Sequence, residues 1–124
     1  PTGGAFKRLA SGLTGKQGKS EKKAFEAVAG LGLDTVEEVL LLHVVPGATI
    51  TAKKALKSDG AKLTTAQGEK LEVMVKQAHS DTPRVFIKDL SNTSSDARVF
   101  EVDINKGNRQ IAHGINAVLL PQAL

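Results

Sequence analysis

Apolar residues in the first half of the chain recur every three or four positions, which is the spacing of amphipathic helices. The spacing predicts three helices, the first over residues 5–13, the second following Ser20 and the third running from Asp34 to Pro46. Ser20 is a typical N-cap residue, and Asp34 with Glu37 resembles a capping box. The positions expected to face the core are Ala24, Phe25, Val28 and Leu31 in the second helix and Val36, Val39, Leu40 and His43 in the third.

In the second half of the chain the periodicity changes to the alternation that is typical of β-strands. A short helix over residues 52–57, capped by Thr51, precedes the strands, and the turn at residues 66–68 is expected to join the first two strands into a hairpin. The predicted strands cover residues 61–65, 69–77, 84–89, 97–104, 110–113 and 117–120.

The alternation also predicts which side chains of these strands are buried. Leu71, Val73 and Val75 share one face of the second strand. In the fourth strand the apolar residues 100, 102 and 104 alternate with Glu101 and Asp103, so we expect one buried face there as well. Helices first and strands afterwards predict an α+β domain with an antiparallel or mixed sheet.

The composition narrows the possible functions. A chain of 124 residues has the size of one domain, which we take to cover residues 1–124. Without cysteine it can form neither a disulfide framework nor a thiolate metal site. Four Phe with no Tyr or Trp provide no stacking platform for single-stranded nucleic acid, so we expect no nucleic-acid partner. The longest apolar run, residues 39–45, is too short for a transmembrane segment.

The net charge of +4 is unevenly distributed along the sequence. Residues 1–30 carry six cationic and two anionic side chains, residues 31–50 sum to −3, residues 51–62 sum to +3 and the remainder sums to zero. A cationic surface attracts anionic polymers or membranes. The lysine-rich stretch 16–23 is also typical of solvated helix ends and loops, and we favour that interpretation.

The three histidines are the first candidates for metal binding or catalysis. His43 and His113 lie among Val, Leu and Ile, whereas His79 lies in a predicted loop. Zinc sites often use short local spacings such as His-x-x-x-His, which the chain lacks, so we expect no metal. We interpret His43 and His113 as buried structural residues that hydrogen-bond to the backbone and stay neutral.

No other pattern indicates catalysis. The chain has no cysteine and no Gly-x-Ser-x-Gly nucleophile motif. Glu101 and Asp103 project from the same face of a strand, but alternating carboxylates are typical of a solvated strand face. We therefore expect no catalytic residue, no cofactor and no enzyme activity.

Two segments carry a resemblance to a known family. Residues 41–47, here called the mid-chain box, read Leu-Leu-His-Val-Val-Pro-Gly, and residues 113–121, the closing box, read His-Gly-Ile-Asn-Ala-Val-Leu-Leu-Pro. They resemble the Tyr-His-Val-Val-Pro-Gly and His-x-Ile-Asp-Gly-Val-Leu-Leu-Pro boxes of the fasciclin domain. The chain departs from these boxes with Leu42 in place of Tyr and with Asn116 and Ala117 in place of Asp and Gly.

The resemblance extends over nearly the whole chain. Residues 1–6 resemble the family's Pro-Thr-x-x-Ala-Phe, residues 64–68 its Thr-x-x-Gly turn, and residues 102–104 the Asp-Ile segment before its closing box. It implies a wedge or sandwich of two β-sheets with helices packed along one edge. Family members begin with a helical segment and a strand that lead into Pro-Thr. The resemblance therefore implies a single fasciclin-like domain that is truncated at its N-terminus.

The resemblance implies a non-catalytic interaction or adhesion domain that is extracellular, at the cell surface or periplasmic, and binds a protein or polysaccharide partner. It also implies self-association or a complementing N-terminal fragment. Partner contacts are expected at Leu42, His43, Asp103 and Ile104, and structural roles at His43, His113, Pro46 and Pro121. Because Leu42 replaces the family's tyrosine, recognition of the integrin type is not expected.

The alternative is a carrier of an apolar small ligand, carotenoid-like or lipid-like, in a hydrophobic groove. The residues that could line such a groove are Leu40, Leu42, Val44, Val45, Ile115 and Leu119. The same residues are what an aliphatic core needs, and core filling is the favoured interpretation. Colour or a copurifying lipid would distinguish the two functions.

Overall fold

In a computed structural model of the chain, four helices come first and five strands follow. The structure describes residues 1–15, 20–77, 83–90, 94 and 96–122. The helices are α1 Gly3–Thr14, α2 Glu21–Ala29, α3 Leu33–Leu41 and α4 Ala52–Leu56. The strands are β1 Lys62–Thr64, β2 Lys70–Gln77, β3 Pro83–Asp89, β4 Ala97–Ile104 and β5 Ala112–Ile115. Within these ranges no helix is long and apolar enough to cross a membrane. His79 lies outside the described residues.

Side-chain caps fix the starts of three helices. The hydroxyl groups of Thr2, Ser20 and Thr51 accept hydrogen bonds from backbone N–H groups in the first turns of α1, α2 and α4. The predicted caps at Ser20 and Thr51 are therefore confirmed.

The predicted boundaries of the third helix are wrong at both ends. Gly32, at φ 96°, precedes the first residue of α3, so Asp34 lies inside the first turn and makes no capping bond. The helix ends at Leu41 rather than Pro46, because His43 and Val44 donate to the carbonyls of residues 40 and 41 and so tighten the last turn.

The strands form one antiparallel sheet in the order β1-β2-β3-β4-β5. β4 pairs with β3 only at Phe86–Arg98 and Ile87–Ala97, and its later residues pair with β5 across two register shifts. The sheet therefore has two parts that share β4, and the α+β prediction is confirmed. The strand predicted over residues 117–120 is not formed, because β5 ends at Ile115 and the following residues pack into the core without a ladder.

The core lies between the sheet and the helices. One cluster joins Leu42 and Leu119, which are 0% and 1% exposed, to Leu71, Ala97 and Ile115. A second cluster packs Ala55 of α4 against Val73 and Val85. A third packs Ala5 of α1 against Val39 and Val118. Leu71 and Val73 of β2 thus face the core as the alternation predicted.

The predicted buried face of β4 is wrong. Phe100, Val102 and Ile104 are 51%, 49% and 42% exposed. The two register shifts toward β5 interrupt the alternation, and the strand has already separated from β3 at these positions. Phe25 and Leu40 are likewise 72% and 47% exposed, although both were expected to face the core.

Candidate interaction surfaces

His43 connects the two sequence boxes. Its Nδ1 donates a hydrogen bond to the carbonyl of Val39 at 2.7 Å, and its Nε2 accepts one from the N–H of Leu119 at 2.9 Å. These bonds require a neutral ring with the proton on Nδ1, because a protonated Nε2 could not accept. Burial lowers the pKa of His43 to about 4. The hydrogen bond to the Val39 carbonyl and the charge of Asp89 oppose the shift.

His113 joins β4 and β5 to the segment before α4. Its Nδ1 accepts from the N–H of Asp103 at 3.1 Å, and its Nε2 donates to the carbonyl of Ile50 at 2.6 Å. The side chain of Asp103 completes the network, because its Oδ1 accepts from the N–H of Ala52 at 2.8 Å. This N–H is one of the donors that the first turn of α4 leaves without an intrahelical partner.

The backbone of Asp103 has φ 56°, in the left-handed region where aspartate is one of the better tolerated residues. Asp103 therefore supports the fold through both its backbone and its carboxylate.

Asn116 has a structural role that the sequence analysis missed. Its Oδ1 accepts from the N–H of Arg98 at 2.9 Å, its own N–H donates to the Arg98 carbonyl at 3.1 Å, and its carbonyl accepts from Arg8 at 3.0 Å. An amide oxygen accepts the first bond as a carboxylate would. The exchange of Asp for Asn in the closing box therefore preserves this contact. Ala117 is not among the residues with positive φ, so its position does not require glycine.

The four predicted partner contacts differ in how much of each side chain is available to a partner. Leu42 is fully buried in the core, so its side chain offers no surface to a partner and that prediction is wrong. His43 is partly buried with both ring nitrogens bonded, and Asp103 uses one carboxylate oxygen at α4. Only Ile104, at 42% exposure, presents a large free apolar surface. Of the two predicted structural prolines, Pro121 is buried and Pro46 is exposed in a turn.

An open apolar groove lies between α1, α2 and α3, with a volume of about 890 Å³. Phe25, Leu33 and Leu40 on its walls are 72%, 84% and 47% exposed. The lining residues are Gly3, Phe6, Glu21, Lys22, Ala24, Phe25, Val28, Ala29, Leu33, Val36 and Leu40. We call this feature the helical groove.

The helical groove is not the groove that the sequence analysis predicted. Of the six expected lining residues only Leu40 belongs to it. Leu42, Ile115 and Leu119 fill the core instead, because they pack on the covered side of the sheet. Helical periodicity assigned Phe25 and Leu40 to the core, so the sequence carried no signal of this groove.

The described part of the chain holds no group of three or more His, Cys, Asp or Glu residues that could bind a metal ion. The titratable residues singled out above take part in backbone hydrogen bonds that stabilise the fold. The chemistry that the surfaces offer is apolar contact and charge.

Comparison with known proteins gives one match. The family model of the fasciclin domain matches residues 1–121, which is nearly the whole chain, and confirms the resemblance carried by the two boxes. No curated protein and no solved structure matches the chain significantly.

Proposed function

We propose, because this chain belongs to the fasciclin family, that it is a non-catalytic interaction module whose main contact surface is the helical groove. Fasciclin domains are in general extracellular adhesion and interaction modules, and the family is generally non-catalytic. A position at the cell surface, outside the cell or in the periplasm is part of the proposal.

The observation that carries the proposal is the open groove itself. Large exposed apolar patches are uncommon on isolated soluble domains and mark interaction sites. Phe25 and Leu33 are more exposed than most large apolar side chains, at 72% and 84%. Covering them would remove apolar surface from water, and this is the main driving force of protein association.

The lining of the groove favours a protein partner over a polysaccharide at this surface. Only Glu21 and Lys22 contribute charge, and aliphatic or aromatic groups provide most of the remaining lining. An amphipathic helix can place its apolar stripe in such a groove.

The charges beside the groove favour a second copy of the chain as the occupant. α1 and α2 together carry four cationic and two anionic side chains, whereas α3 carries three anionic and none that is cationic. A two-fold rotation places the α1–α2 side of one copy against α3 of the other. The same surface can then pair with itself, and this agrees with the self-association expected from the sequence.

Sedimentation velocity over a concentration series tests the proposal. The chain should associate as its concentration rises, and Phe25→Asp should remain monomeric because it places a charge in the apolar contact. Phe100→Asp is the matched control, because Phe100 is exposed on β4 and away from the groove lining. A parent chain that stays monomeric throughout, or equal association of all three proteins, would contradict the proposal.

The second candidate function is a carrier of an apolar small ligand. Its support is the volume of about 890 Å³, which falls within the range of roughly 300–1,000 Å³ for small-molecule pockets. Native mass spectrometry of the purified chain tests it. A copurifying lipid or pigment that is lost in Phe25→Asp would favour the carrier over the interaction module.

The other residues predicted to contact a partner have smaller roles in the proposal. Ile104 remains a proposed partner contact because its side chain is exposed. His43 and Asp103 are proposed to support binding by holding the backbone in place.

A further inference from the structure

The strand register gathers most of the positive charge on one face of the sheet. Outward-facing positions of the first four strands, opposite the side chains that form the core, carry six cations: Lys62, Lys70, Lys76, Arg84, Lys88 and Arg98. Glu72 is the one acidic side chain among the described outward positions of β1, β2 and β3. Over β1, β2 and β3 five of these cations and Glu72 give this basic face a net charge of +4, equal to that of the whole chain, and Arg98 adds a sixth cation at the start of β4.

Glu72 is directly opposite both Lys62 and Lys88, so sheet stability accounts for part of this arrangement, but it does not account for the Lys76–Arg84 pair. Lys76 is directly opposite Arg84 in the β2–β3 ladder, and directly opposed like charges destabilise a sheet. The ammonium group of Lys76 also lies 4.9 Å from the centre of the Phe86 ring. Lys76 and Arg84 therefore repel each other, and a bound polyanion would relieve that repulsion.

We infer that the basic face binds an anionic polysaccharide through its sulfate or carboxylate groups. The inference rests on the proposed role as an extracellular interaction module but uses a different surface from the helical groove. The cations are spread over a broad face, since Lys62 and Lys88 are two strands apart, a distance of about 10 Å. This layout fits repeating charges along a chain better than a single small anion.

The same face fits nucleic acid less well. Single-stranded nucleic acid is held by exposed aromatic rings on which bases stack. The first four strands carry two aromatic residues: Phe86, whose ring is covered by the ammonium of Lys76, and Phe100, which is 51% exposed, so at most one uncovered ring is available for stacking. A broad sheet face also does not enter the grooves of a duplex as a helix or a two-stranded ribbon does.

Binding measurements with defined polymers test the inference. The probes are heparin as a sulfated chain, polygalacturonate as a carboxylated chain and neutral dextran. A single-stranded oligonucleotide and vesicles of anionic phospholipid represent the competing partner classes. The parent should bind heparin or polygalacturonate, with an affinity that falls as salt is raised, and should not bind dextran.

Paired charge reversals locate the site. Lys76→Glu with Arg84→Glu should weaken binding by about tenfold or more, because two attractive charges become repulsive. Lys53→Glu with Lys54→Glu is the matched control, since α4 packs against the opposite, core side of β2 and β3 through Ala55. The control should bind almost as the parent does. Lys76→Gln with Arg84→Gln gives a milder test if the reversal impairs folding, which circular dichroism would detect.

Several results would overturn the inference. These are no binding to either acidic polysaccharide, an equal loss in the sheet and α4 variants, and equally tight binding to the oligonucleotide or the vesicles. Phe25→Asp separates this inference from the proposed groove contact. It should abolish self-association and leave polysaccharide binding unchanged, so either proposal can fail without the other.

Discussion

At the residue scale, the two histidines connect distant segments through opposite tautomers. His43 carries its proton on Nδ1 and His113 on Nε2, and each ring accepts one backbone N–H and donates to one carbonyl. The apolar surroundings of both residues in the sequence favoured hydrogen bonds to the backbone, and both rings make such bonds while lying partly buried. These surroundings could not reveal the partners, because Leu119 and Ile50 are far from the respective histidines along the chain.

The lowered pKa of His43 makes stability depend on pH. A histidine in the unfolded chain titrates near 6.5, whereas folded His43 titrates at about 4. Between these values the unfolded state binds more protons than the folded state. The stability that neutral His43 contributes to the folded state is therefore complete above pH 6.5 and is lost as the pH falls toward 4. The free energy of unfolding should decrease by about 3 kcal/mol over that range.

Urea unfolding at several pH values measures this decrease. His43→Ala should remove most of the dependence and should also cost about 2 kcal/mol at neutral pH, through a cavity and unpaired backbone groups. The same pH slope in parent and variant would show that His43 is not the responsible group.

At the element scale, the sequence pattern predicted where the helices and strands lie better than which of their sides are buried. The caps of α2 and α4 and the β1–β2 hairpin follow from local chemistry, and the structure has them where the sequence predicts them. The buried face of β4 was predicted wrongly because its register shifts depend on pairing with β5, and strand alternation carries no information about that pairing. The start of α3 was predicted wrongly because the residue that precedes the helix is Gly32, which has no side chain to form a capping hydrogen bond.

A pair of glycine substitutions tests the close packing of β4 and β5. A Cβ at Gly114 would lie 2.9 Å from Cβ of Glu101, which is closer than side-chain carbons approach, so Gly114→Ala should destabilise the chain by about 1–3 kcal/mol. Gly12→Ala in α1 is the control. Its Cβ would meet nothing within 4 Å, and alanine favours a helix by roughly 0.5–1 kcal/mol. The midpoint of thermal unfolding should therefore fall for Gly114→Ala and rise for Gly12→Ala. Equal shifts in the two variants would contradict this account of the β4–β5 contact.

At the scale of the whole molecule, folding separates charges that cancel along the sequence. Residues 63–124 have no net charge, yet the register of β2, β3 and β4 places five cations from this segment on the basic face. Counting charge along the chain could not show this, because the sign of a surface depends on which side of the sheet each residue faces. The helical groove was missed for a related reason, since the apolar residues of α2 and α3 were all assigned to one core.

The proposed contact surface can be located by a dilution series of amide ¹H–¹⁵N spectra of the labelled chain. Self-association through the helical groove predicts concentration-dependent shifts at the amides of Phe25, Val28 and Leu40, with those of the basic face unchanged. The same series on Phe25→Asp should show no shifts at any concentration. Shifts confined to the sheet, or spectra of the parent that do not change with concentration, would contradict the assignment of the groove as the contact surface.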